Sequence, residues 1–166
     1  GVRVRSSRGS VHPVRAHERP SYTHAVDVDA ITRERLQAQN QRVTPARIKL
    51  ASAVAAFGRP VTISELLEHD ASFALSSTYR NLTVLEDAGV IHRIVSSDDT
   101  ARYELAESLT GHHHHLMCER CGAVIDVPLP DVERAVHDAA DAIAASHGFT
   151  TRVHRIDFIG HCANCA

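Results

Sequence analysis

The chain has 166 residues, 43% of them hydrophobic, which suits a globular protein of one domain or two small ones. Aromatic residues make up 4% with no Trp, so each half must build its core from Leu, Val, Ile and Ala, and small cores of that kind call for a staple. No apolar run approaches the roughly 18–20 residues of a membrane span and no signal-peptide hydrophobic stretch opens the chain, so the expected location is the cytoplasm, with no membrane partner.

The formal net charge of -2 conceals an asymmetry. Residues 1–26 read as a disordered basic arm, in which Arg3, Arg5, Arg8, Arg15 and Arg19 stand against Glu18 alone. Such an arm is either a solvated tail or a phosphate contact. From residue 111 onward the balance turns acidic, and most of the thirteen histidines lie there.

Asp27 or Asp29 caps a first helix running to about Asn40. Thr44 followed by Pro45 is an N-cap with Pro at the first helical position, and that helix ends at Phe57 before Gly58 and Pro60. Thr62 caps a short third helix over Ile63–His69. A fourth begins at Ser76 or Ser77, with Tyr79, Leu82, Leu85 and Ala88 as its buried stripe and Gly89 as its stop. Residues 90–95 and 102–105 form a hairpin around a turn-rich Ser96–Asp99 stretch. Helices followed by a hairpin are the winged-helix order, which assigns residues 27–105 to a DNA-binding unit. Residues 106–111 read as a hinge loop. Beyond it, residues 112–117 and 123–127 read as strands. Pro130 opens a helix to His147 with the stripe Val132, Ala135, Val136, Ala139 and Ile143, and residues 149–159 read as a last strand. The fold class is therefore α+β, with an α/β unit over residues 112–166.

All four cysteines fall into two C-x-x-C pairs, Cys118 with Cys121 and Cys162 with Cys165. Two such turns supply four soft ligands for a closed, structural tetrahedral zinc site. About 40 residues separate the pairs, so the intervening strand, helix and strand must fold back to unite them. Disulfide and redox readings suit a reducing compartment poorly.

His112, His113, His114 and His115 run directly into Cys118. In an extended strand alternate side chains take opposite faces, so His112 and His114 serve one centre and His113 and His115 another. Glu133 and His154 are candidates to complete one set, His154 being placed on the last strand. His92 with Glu104, or Glu107 in its place, are candidates for the other.

Arg42-Val43-Thr44-Pro45-Ala46-Arg47, Ser77-Thr78-Tyr79-Arg80-Asn81-Leu82, the tract from His112 to Cys121-Gly122, and His161-Cys162-Ala163-Asn164-Cys165 together resemble the ferric uptake regulator (Fur) family of bacterial metal-dependent repressors. The resemblance covers about residues 30–166. It implies a winged helix, a C-terminal dimerisation domain and a regulatory metal at the hinge. It makes the four cysteines structural zinc ligands. One family site then uses His112, His114, Glu133 and His154; the hinge site uses His113, His115, His92 and a ligand from Tyr103-Glu104-Leu105. Pro60 stands where iron-type members carry a His, and His92 sits at a wing position used by zinc-type members, so the likeness is greatest to the zinc-uptake regulators. Ala106 departs from that branch, which often carries a Cys there.

The resulting expectation is a zinc-responsive repressor binding palindromic operators as a homodimer, with iron, manganese, nickel or peroxide sensing as alternatives. Ser77, Thr78, Tyr79, Arg80 and Asn81, with Arg47, are the expected DNA contacts: Arg80 suits a guanine edge and Tyr79 a thymine methyl. An enzyme is not expected, since no H-E-x-x-H, nucleophile motif or Gly-rich phosphate loop occurs, and no small-molecule substrate is implied. The remote alternatives, a zinc hydrolase or a zinc-binding module without DNA binding, lack motif support in the first case and leave the Ser77–Leu82 segment without a purpose in the second. Imidazole coordinates only when neutral, so operator binding is expected to weaken below about pH 6.5.

Overall fold

The computed structural model describes residues 27–95 and 99–166. The basic arm and the centre of the wing turn lie outside the described residues. Helix α1 (Val28–Ala38) starts at Asp27, whose carboxylate accepts the Ala30 N–H at 3.0 Å. Helix α2 (Pro45–Phe57) starts at Thr44, whose hydroxyl accepts the Arg47 N–H, and ends at Gly58 in the left-handed region. Strand β1 (Val61–Thr62) leads into α3 (Ile63–His69) through a full capping box between Thr62 and Glu65. Strand β1 was not legible in the sequence, because two residues carry no period and pairing with a distant strand alone defines them.

Helix α4 (Leu75–Asp87) begins one residue before the expected serines, with Ala74 at the cap and no side-chain capping bond. Leu82, Leu85 and Ala88 of the expected stripe are buried, but Thr78 joins them in place of Tyr79, which is 53% exposed. The reason is geometric. At about 100° per residue, a strict three-residue repeat drifts round the helix and carries Tyr79 half a turn from Ala88. Strands β2 (Ile91–Val95) and β3 (Ala101–Leu105) complete the wing, and the sheet has the order β1-β3-β2. Leu36, Leu50, Val54, Leu66, Leu82 and Leu85 form the core beneath it.

The expected hinge loop contains a single helical turn, α5 (Glu107–Thr110). Strand β4 (His114–Cys118) pairs antiparallel with β5 (Val124–Val127) and parallel with β6 (Asp157–Gly160), in the order β5-β4-β6. Helix α6 (Pro130–Ser146) lies in the β5–β6 crossover. The last strand is shorter than expected. His154 precedes it rather than lying on it.

This second half has little core of its own. Its buried cluster is Ile94 of β2 with Met117 and Val124, so it rests partly on the wing. The expected α6 stripe is largely open, with Val132 45% and Ile143 63% exposed. Leu116, Ile125 and Phe158 are register partners across the sheet and are exposed as well. Among the described residues no helix is long and apolar enough to cross a membrane.

The capping box gives a local stability test. Thr62→Ala removes the acceptor for the Glu65 N–H and is expected to cost about 1 kcal/mol in urea unfolding. Unchanged stability would mean that Glu65 alone holds the turn.

Candidate metal centres

The Cys118, Cys121, Cys162 and Cys165 sulfurs all lie within 4.8 Å of one another. Their Cβ-bearing turns come from the ends of β4 and β6, which parallel pairing brings side by side. Cys121 Sγ and Cys162 Sγ are 3.7 Å apart, far beyond the roughly 2.05 Å of a disulfide. It matches the edge of about 3.8 Å that Zn–S bonds of about 2.3 Å impose on a tetrahedron. The Cys162 N–H, then those of Cys121 and Arg120, point at Cys118 Sγ and lower its thiol to about 6. The neighbouring Cys121 and Cys162 thiols push Cys165 up to about 12. Four sulfurs at one point thus resist joint ionisation, which a divalent cation held by them would relieve.

The histidine run divides as the alternation requires. On one side Glu104, His113, His115 and Asp126 offer ligand atoms within 4.8 Å of one another. Glu104 comes from β3 of the wing, His115 from β4 and His113 from just before it, and Asp126 from β5, where it is the register partner of His115. His113 Nε2 lies 3.2 Å from Glu104 Oε2, and His115 Nε2 3.4 Å from Glu104 Oε1. Tetrahedral M–N and M–O bonds of about 2.0–2.1 Å require an edge of about 3.3 Å, so the spacing fits a first-row ion. Glu104 Oε1 and His115 Nε2 are buried and lack a hydrogen bond, as two donors aimed at a common ion would.

Two expectations change at this group. His92 is the register partner of Glu104, yet its side chain stays exposed and it is not among the converging atoms, because the Glu104 carboxylate turns instead toward β4. Asp126 takes the fourth position. The sequence signal was its placement opposite His115, which depends on the β4–β5 register and could not be read without it. Glu107 is not in this group either. Its Oε2 lies 3.0 Å from His112 Nδ1, on the other side of the strand.

On that other side His112, His114, Glu133 and His154 converge within the same 4.8 Å limit. His112 Nε2 and His154 Nε2 are 3.2 Å apart, and Glu133 places Oε2 3.0 Å from His114 Nε2 and Oε1 3.2 Å from His154 Nε2. These too are tetrahedral-edge distances. All four residues singled out in the sequence are brought together.

The far nitrogen of three rings is engaged. His112 Nδ1 faces the Glu107 carboxylate, His113 Nδ1 the Gly111 carbonyl at 3.0 Å, and His115 Nδ1 Asp157 Oδ1 at 3.3 Å. Acceptors of this kind require the proton on Nδ1, which leaves each Nε2 lone pair for coordination.

Charge in the metal-free Glu104 group is distributed accordingly. The Glu104 hydrogen bond outweighs burial and raises His113 from 6.5 to about 9. Burial would push Glu104 up, but His113 and His115 override it and hold it at about 2. Burial pulls His115 down and Glu104 reverses the sign, leaving it raised. Burial, followed by the Glu104 charge, raises Asp126.

On α4, Tyr79 and Arg80 are exposed and Ser77 is partly so, its hydroxyl donating to the Ala74 carbonyl at 2.9 Å. Arg47 Nε donates to Asn81 Oδ1 at 3.4 Å, joining α2 to α4. Thr78 is a correction. It is 2% exposed and its hydroxyl donates to the Ala74 carbonyl, so it belongs to the core.

Two measurements test these centres. Stripping metal from the cysteine group, or Cys118→Ser, is expected to open the β5-β4-β6 sheet to rapid amide exchange while α1–α4 keep their protection. Persistent protection at Met117 after metal removal would show that the sulfurs are not what holds the sheet. The second concerns pH. The His113–Glu104 pair stabilises the metal-free fold fully between about pH 4.5 and 6.5, and that contribution is lost as pH rises through about 9 or falls toward about 2. Metal must displace the His113 proton, so its affinity is expected to rise with pH by up to about tenfold per unit between about 6.5 and 9 and then level off. The window expected from an unperturbed imidazole thus moves upward. Calorimetry in buffers of different ionisation enthalpy would detect the released proton, and a pH-independent affinity from 7 to 9 would rule this out.

Comparison with known proteins agrees with this architecture. The family model described as "Ferric uptake regulator family" matches residues 38–159. A ferric uptake regulation protein of Bordetella parapertussis is 32% identical over 100 residues, 60% of this chain and 68% of that protein. Another from Campylobacter jejuni is 33% identical over 98 residues, 59% of each chain. The solved ferric uptake regulator of Helicobacter pylori superposes with a TM-score of 0.69 at 22% identity, covering 84% of this chain and 94% of that one, which establishes the shared fold. With more than half its length matched, a winged helix at its N-terminal side and a metal-ligand-rich α/β unit after it, this chain belongs to the ferric uptake regulator family, whose members are transcriptional regulators and not enzymes.

Proposed function

We propose that the protein is a metal-dependent, zinc-responsive transcriptional repressor of metal uptake genes, acting in the cytoplasm as a homodimer on palindromic operators. The observation that carries this reading is the Glu104 group. Its carboxylate is supplied by the wing and its imidazoles by β4 and the residue just before it, so a single ligand set spans the DNA-reading half and the half beyond the hinge. We take residues 27–105 as the reading head, 106–111 as the hinge and 112–166 as the dimerisation and metal-binding unit, with 1–26 as a basic arm.

A bound divalent ion supplies cationic charge that neutralises Glu104 and Asp126 and fixes four donor directions at once. What the chain contributes is geometry. Nδ1 contacts to Gly111 and Asp157 hold the two rings, and Arg155 Nε, 2.6 Å from Asp157 Oδ2, holds Asp157. Drawing Glu104 onto these rings sets the angle of the wing against the β5-β4-β6 sheet. A ligand set better formed in the DNA-competent arrangement shifts the population toward it, and by reciprocity operator DNA tightens metal binding.

The exposed apolar row Leu116, Ile125 and Phe158 supports pairing of two chains through this sheet. A two-fold dimer presents two α4 helices to a palindrome. Ser77, Tyr79, Arg80 and Asn81, with Arg47 buttressing Asn81, form the proposed DNA face. The zinc assignment is supported by a nitrogen-rich second group and a sulfur-only structural group, whereas two carboxylates in the Glu104 group also suit iron or manganese.

The deciding experiment is an operator-binding titration with zinc, ferrous iron, manganese and nickel at stated salt. Zinc is expected to activate at the lowest free concentration. Activation by another metal at lower concentration would reassign the sensor, and no activation by any metal would end the reading. His113→Ala is expected to abolish metal-activated binding, a loss of at least about tenfold in operator affinity, while sedimentation still finds a dimer.

A further inference from the structure

The turn between the two halves carries a run of hydrogen bonds that leads away from the His112 group to the far end of α4. Glu107 opens α5, and its Oε2 is 3.0 Å from His112 Nδ1. An ionised carboxylate only accepts, so it fixes the His112 tautomer and turns the Nε2 lone pair toward His154. The next residue, Ser108, accepts a hydrogen bond from Arg35 Nη2 at 3.0 Å. The other arm of the same guanidinium, Nη1, donates to the Gly89 carbonyl. Gly89, at φ +69°, is the turn by which α4 passes into the wing.

These contacts form a mechanical series. Helix α5 is one closed turn, with the Gly111 N–H bonded to the Glu107 carbonyl at 2.7 Å, so Glu107 and Ser108 move together. Arg35 sits in the last turn of α1, and its planar fork joins two elements in fixed relation. A ring clamped at Nε2 by a loaded ligand set and at Nδ1 by Glu107 therefore fixes α5 against β4. Through Ser108 and Arg35 it also fixes the C-terminal end of the helix bearing Tyr79 and Arg80.

We propose that Glu107 and Arg35 are positioning residues that couple loading of the His112–His114–Glu133–His154 group to the orientation of α4. This route is separate from the Glu104 group and rests on reading the histidine set as a metal site. It accounts for Glu107 facing His112 rather than joining Glu104, and for an α1 arginine spending both arms on the α4 turn and the hinge.

The test uses the full chain with its cysteine group loaded, isotopically labelled and titrated with zinc. The Gly89 carbonyl carbon resonance reads the near end of the series, and the His112 and His154 ring resonances read loading. In the unmodified chain Gly89 is expected to shift in step with those rings. Glu107→Ala is expected to weaken zinc at this group by about tenfold and to erase the Gly89 response, and Glu107→Gln, which still accepts from Nδ1, to restore it. Arg35→Lys, with one ammonium in place of the fork, is expected to leave ring loading unchanged and erase the Gly89 response.

A Gly89 shift that survives Glu107→Ala or Arg35→Lys overturns the proposal. So does one that survives His154→Ala, since it would then arise from the Glu104 group. A silent Gly89 in the unmodified chain, with rings that load normally, overturns the coupling alone. Rings that never load overturn both the coupling and the assignment of this histidine set.

Discussion

Successive side chains of an extended backbone leave it on opposite sides, and at the entry to β4 that rule decides the chemistry of the molecule. Four imidazoles in a row cannot crowd round one ion. They are dealt alternately to a group shared with the wing and a group shared with α6 and the segment before β6. The run then continues into Cys118, so one stretch of about seven residues feeds three ligand sets. Any slip of register in this stretch would exchange the partners of every ring.

The same economy explains why the second half leans on its ligands. Its buried apolar cluster is three residues, one of them borrowed from β2, and much apolar surface on its sheet and on α6 remains open. Hydrophobic burial scales with apolar area removed from water, so a small core leaves part of the stability to come from elsewhere, which the proposed metal cross-link at the cysteines and the proposed second chain would supply. The winged helix differs. Leu36, Leu50, Leu66, Leu82 and Leu85 are essentially inaccessible, and α1, α2 and α3 are capped by the side chains of Asp27, Thr44 and Thr62.

Beyond the converging atoms, the chain controls which nitrogen of each ring is available. A backbone carbonyl, an aspartate and a glutamate occupy the far side of His113, His115 and His112. Each acceptor sits on a different element, which makes the ligand sets sensitive to the relative placement of α5, β6 and the start of β4. In the proposed mechanism these contacts, as much as the ligands themselves, would link metal binding to domain geometry.

Much of this was legible in the residues alone. Thr44-Pro45, Thr62 with Glu65 and the glycine stops delimit helices by local chemistry, and two C-x-x-C pairs and a histidine run mark candidate ligand sets through spacing. Alternation sufficed to separate His112 and His114 from His113 and His115, and to draw Glu133 and His154 into candidate roles. What local pattern could not supply was pairing between distant segments. Asp126 enters its group because β5 sets it opposite His115, and His92 stays outside because Glu104 turns away from its own register partner. Thr78 and Tyr79 exchanged places because the 3.6-residue turn, set against the core, rotates a three-residue repeat out of register. Spacing along the chain is a property of sequence; which carboxylate meets which ring is decided by strand register and side-chain direction, and these exist only once the sheets have formed.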